Sequence, residues 1–161
     1  MERVVVTSST AEHVYGTAGP VVLACFRGRP SSSSVTVLSR LCSTVRAKYP
    51  HLAILATAED DAPPPETDVR GAFGSLLRTQ GDKLVGVAFV VEGSGFRAAI
   101  VRGVAIGIRT LGRIAVPIQV TTTALDAATW IVERFPPPSN VLPASLLAAD
   151  LQRLREAEIA A

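Results

Sequence analysis

Val85-Gly86-Val87-Ala88-Phe89-Val90-Val91, followed by Glu92-Gly93-Ser94-Gly95, is the stretch that decides the fold. A nearly continuous apolar run of this length suits a strand buried on both faces of a parallel sheet, and we expect it at the sheet's centre. The glycine-rich corner then turns the chain into a helix predicted over 96–111, with Phe96, Ile100, Val104, Ile108 and Leu111 as its core stripe. Ala99, Gly103 and Gly107 form a second stripe at four-residue spacing. Glycine inside a helix costs about 1 kcal/mol relative to alanine, so this stripe implies close packing against a sheet or a partner helix.

Working outward, the same alternation repeats. Runs 13–18 and 21–26 flank Gly19-Pro20, a turn dipeptide, and predict an opening β-hairpin. Ser31 to Ser34 offer an N-cap to a helix with Val35, Leu38, Leu41, Cys42, Val45 and Tyr49 on one side, ended by Pro50. A short strand over 52–56 leads through Glu59-Asp60-Asp61 and Pro63-Pro64-Pro65 to a second helix with Val69, Phe73, Leu76 and Leu77 on one face. After the third helix, residues 114–120 read as an edge strand because Pro117 cannot donate to a ladder. Thr123 and Asp126, at N-cap and N3 spacing, open a fourth helix carrying Ala127, Ala128, Trp130, Ile131 and Phe135.

The order ββαβαβαβα implies an α/β sandwich, with a mostly parallel sheet and one antiparallel hairpin. We therefore expect an α/β domain over 1–135. Pro136-Pro137-Pro138 opens a linker over 136–143, and Leu146, Leu147, Leu151 and Leu154 mark an amphipathic helix over 144–161. Such a helix must bury its leucines against its own domain or a second copy.

With 161 residues, 48% of them hydrophobic and 19% charged, the chain hides roughly two thirds of its unfolded surface and needs no metal or disulfide staple. Its net charge of +2 comes from 16 basic residues, 14 of them arginine, scattered among the acids. That pattern argues against nucleic acid and suggests a GC-rich bacterial coding sequence. Two cysteines, Cys25 and Cys42, make no framework and fit a reducing cytoplasm. Val4-Val5-Val6 is too short for a signal-peptide core, and the uncharged runs 14–26 and 114–125 are too short to span a bilayer.

No catalytic motif stands in the sequence. Glu92-Gly93-Ser94-Gly95-Phe96-Arg97-Ala98 contains a strand-to-helix corner able to cradle an anion, but it lacks a P-loop Lys, follows a late strand, and has no ribose carboxylate downstream. The glycines flanking Ser94 are adjacent to it rather than two residues away, so no nucleophile elbow forms. His13, His51 and Cys25 share no ligand spacing. Glu59, Asp60 and Asp61 sit at a strand's C-terminal end, where open α/β sheets place their sites, and Arg97, Arg102, Arg109 and Arg113 offer charge to an acidic partner. The residues singled out for interaction or anion binding are Glu59, Asp60, Asp61, Glu92, Gly93, Ser94, Gly95 and Arg97, with no catalytic, cofactor or metal residue among them.

Asp126-Ala127-Ala128-Thr129-Trp130-Ile131, closing this strand and helix order, resembles the last helix of the STAS superfamily, in its SpoIIAA-like branch. The resemblance covers 12–135 and implies the fold of anti-sigma-factor antagonists. It also implies a phosphoacceptor serine after the third strand, where this chain has Glu59-Asp60-Asp61-Ala62-Pro63-Pro64 and no hydroxyl before Thr67. The expected function is a non-enzymatic regulatory module that binds a protein partner or a second copy. The alternative is a carrier of a small apolar or lipid ligand.

Overall fold

A computed structural model describes residues 3–93 and 95–159. Six strands form one mixed sheet in the order in which they occur along the chain. They are β1 (Val5–Ser9), β2 (His13–Ala18), β3 (Val21–Phe26), β4 (Leu52–Ala58), β5 (Leu84–Val90) and β6 (Ile118–Thr121). The first two pairings are antiparallel and the remaining three parallel. Helices α1 (Ser32–Lys48), α2 (Thr67–Gln80) and α3 (Gly95–Gly112) make the crossovers and cover one face. Helices α4 (Ala124–Arg134) and α5 (Ala144–Arg155) cover the other. Neighbouring parallel strands joined by crossovers of one hand place all three connecting helices on the same side.

Three expectations need correction. The sheet opens with three strands, because Val5–Ser9 adds outside the predicted hairpin and gives two antiparallel pairings instead of one. Its side chains are mostly exposed, so it carries no alternating signal. The strand that decided the fold, β5, lies one place in from the edge, and β3 and β4 hold the centre. The third correction is α3: of its five stripe residues, Phe96, Ile100 and Leu111 are exposed and Val104 and Ile108 half-buried, and a Cβ on Gly103 would meet nothing. The close helix contact lies elsewhere, where Gly74 of α2 meets Gly112 of α3.

Local chemistry fixes the rest as the sequence implies. Gly19 takes the left-handed φ of +57° that the β2–β3 turn requires. Ser31 and Ser34 form a capping box on α1, and both hydroxyls donate to the Glu12 carboxylate at 2.7 Å. These bonds lower the Glu12 pKa. Thr123 caps α4 by accepting from the Asp126 amide at 3.1 Å. Gly86 leaves room for the Trp130 ring, which lies beneath the Arg134 guanidinium at 4.5 Å. Pro117 stands just outside β6, which is an edge strand as expected. The segment 144–161 folds back on its own chain through its described part, burying Leu147, Leu151 and Leu154 against β2, β3 and α4, while Leu146 stays partly exposed.

Candidate functional site

A cavity of about 270 Å³ lies between the sheet and α3, at the C-terminal ends of β3, β4 and β5. Its floor is built of small residues. Along β4 the side chains facing α1–α3 shrink from Leu52 and Ile54 to Ala56 and Ala58. Ala24 stands opposite Ala56 in register, and Phe26 opposite Ala58. The roof is α3, whose Val101, Val104, Ala105 and Ile108 face the space, and Pro63-Pro64-Pro65 form part of the rim. α3 leans mainly on α2, and the alanine floor is too low to reach it. The void follows from that mismatch, since protein interiors otherwise close to crystal-like density.

The residues singled out in the sequence separate into two groups around the strand tips. Arg97 turns inward from α3, donating to the Ala58 and Glu59 carbonyls at 3.4 and 2.6 Å and to the Asp60 carboxylate at 3.5 Å. Arg97 and Asp60 both line the cavity mouth. Arg97 is half-buried and therefore does not share the exposed face of α3 with Arg102 and Arg109. The second group lies on the α5 side. Arg155 reaches Glu92 at 3.1 Å and Glu59 at 4.0 Å. Burial alone would lower the pKa of Arg155, but the bond to Glu92 and the charges of Glu92 and Glu59 outweigh it and raise it.

Asp61 is exposed in the loop, Gly93 has a φ of +110°, and Gly95 opens α3. Ser94 lies outside the described residues. Thr67, the first hydroxyl after the acidic run, is exposed at the first position of α2. No cluster of three or more metal-ligating side chains occurs among the described residues.

Cys25 lies 3.6 Å from a Glu59 oxygen, and burial followed by that carboxylate's charge pushes its thiol up to about 12. Burial takes Cys42 to about 12 as well. Both thiols stay protonated at neutral pH and are poor nucleophiles. Iodoacetamide added to the native chain at pH 8 should leave both unmodified, whereas denaturant should expose both. Rapid native alkylation at Cys25, read by peptide mass, would contradict this.

One pairing has no signal in the order of the residues. Ser8 Oγ lies 2.9 Å from His13 Nε2, and the buried imidazole stacks on Tyr15 with its centroid 4.0 Å away. Its Nδ1 has no hydrogen-bond partner among the described residues, and the nearby Glu12 carboxylate is taken by Ser31 and Ser34. Without an acid to orient the ring, the pair lacks the third member of a triad. The floor of alanines was missed too, although its signal stood in Leu52-Ala53-Ile54-Leu55-Ala56-Thr57-Ala58 as a fall in size at every second position. Compared with protein-family models, with curated proteins and with solved structures, the chain matches none.

Proposed function

We propose that this chain is a non-enzymatic cytoplasmic binding protein that holds a small apolar ligand between its sheet and α3. The observation that carries the reading is the 270 Å³ cavity with its carbon lining. It equals roughly nine times the ~30 Å³ that one water occupies in the liquid. It also falls just below the roughly 300–1,000 Å³ typical of ligand pockets, which argues for a compact ligand over a long chain. Arg97 and Asp60, paired with each other at 3.5 Å, are polar side chains at its mouth. The regulatory, STAS-like reading is compatible with this one, because a filled cavity would fix the position of α3 for a partner to recognise. The two buried free cysteines fit a reducing compartment.

Filling the floor tests the proposal. Ala56 is buried at the centre of it, between Ala24 and Phe89. Ala56→Leu should occupy the void, leave stability equal or higher, and weaken ligand binding by at least roughly tenfold, the scale of one blocked apolar contact surface. Native mass spectrometry of the chain purified from cells should show an added mass on the wild type and none on the variant. Titration with Nile red should follow the same order. Identical dye binding by both proteins, with no retained mass on either, would sink the reading.

A further inference from the structure

We propose that the outer face of α3 docks on an anionic lipid surface. The side of the helix turned away from the cavity carries apolar side chains open to solvent: Phe96 is 78% exposed and Ile106 65%. Ala99 and Gly103 complete this stripe, and both are exposed. Spaced at three and four residues, Phe96, Ala99, Gly103 and Ile106 lie along one line of the helix. Arg102 and Arg109 run beside that line, and Arg113 follows just past the helix end; all three are exposed and form no ion pair among the described residues.

Charge decides the kind of partner. From Gly93 to Leu125 the chain contains four arginines and no acidic residue, in a protein whose 16 basic and 14 acidic residues otherwise nearly balance. A convex helix with an apolar crest and a flanking row of arginines matches a layer of anionic headgroups over acyl chains. An acidic protein partner would instead need a groove shaped to take the helix. The helix lies on the surface and does not cross it: no helix among the described residues is long and apolar enough to span a membrane. Docking by this face does not depend on the cavity being filled, since Phe96 and Ile106 take no part in its lining.

Vesicle co-sedimentation of the full chain tests the proposal. The wild type should bind vesicles of phosphatidylcholine mixed with phosphatidylserine, bind pure phosphatidylcholine far less, and be released by high salt. Phe96→Ser with Ile106→Ser should weaken binding by roughly a hundredfold, about tenfold for each exposed apolar side chain withdrawn from the bilayer. Arg102→Gln, Arg109→Gln and Arg113→Gln together should weaken it by roughly a hundredfold, about fivefold per arginine. Near-UV circular dichroism around Trp130 should be unchanged in both variants, because the substituted side chains are exposed. Equal binding to neutral and anionic vesicles, or no binding to either, would overturn the proposal. So would binding indifferent to the serine pair, or capture by an acidic peptide without binding to vesicles.

Discussion

A chain ending at residue 135 should not fold. The segment it loses holds Leu147, Leu151 and Leu154, all fully buried, with Leu142 nearly so. Burying a leucine side chain contributes about 1.5–3 kcal/mol, so three of them supply roughly 5–9 kcal/mol. That is comparable with the whole stability of an ordinary domain, about 5–15 kcal/mol. Removal also bares Val14, Leu23 and Cys25 on the opposing sheet face. The truncated chain should aggregate, or show no near-UV signal from Trp130. The milder Leu151→Ala should cost about 2–5 kcal/mol by urea unfolding, the range for a leucine cavity that cannot collapse. A soluble, cooperative 1–135 fragment would show that α5 is an accessory to a domain complete without it.

Gly71 and Gly74, on the same helix, should respond oppositely to alanine. A Cβ at Gly71 meets nothing within 4 Å, so Gly71→Ala should stabilise by up to ~1 kcal/mol through helix propensity alone. At Gly74 the added Cβ would stand 2.7 Å from the Gly112 Cα and 2.9 Å from the Ile108 carbonyl oxygen. Both are backbone atoms, so no side chain can swing away; α3 itself must shift. Overpacking of this kind costs about 1–3 kcal/mol, which outweighs the propensity gain. Gly74→Ala should therefore unfold at lower urea than the wild type and Gly71→Ala at higher. If both variants were stabilised alike, the α2–α3 contact would not be as close as described.

The places where the sequence was legible share a physical cause. Gly19-Pro20, the Ser31 cap, the prolines before α2 and the Thr123 cap act through local backbone geometry, and each element they bound formed as expected. What periodicity could not show is how far a helix stands from its sheet. In α3 nearly every face is apolar, so the spacing of Phe96, Ile100 and Leu111 matches a core stripe although the structure leaves those residues exposed. Distance from the sheet depends on the height of the floor beneath, set by Ala24, Ala56 and Ala58 on two other elements. The candidate residues at the strand tips were placed at the correct end of the sheet for a simple reason, that crossover loops must emerge there. Their division between Arg97 and Arg155 was not visible, because Arg155 arrives from a helix more than sixty positions after Glu92.

The order of the strands also governs how the chain can find its fold. Each strand pairs with its predecessor in sequence, so no pairing waits on a segment yet to be placed, and every step of sheet growth closes a modest loop. One set of contacts breaks this rule. Ser9 donates to the Glu158 carbonyl, 149 positions away, and Arg27 to the carbonyls of Arg155 and Ala157. The contacts of greatest sequence separation therefore gather in one docking, that of α5 beside β2 and β3, while the helices and strands around the cavity are built from nearer neighbours.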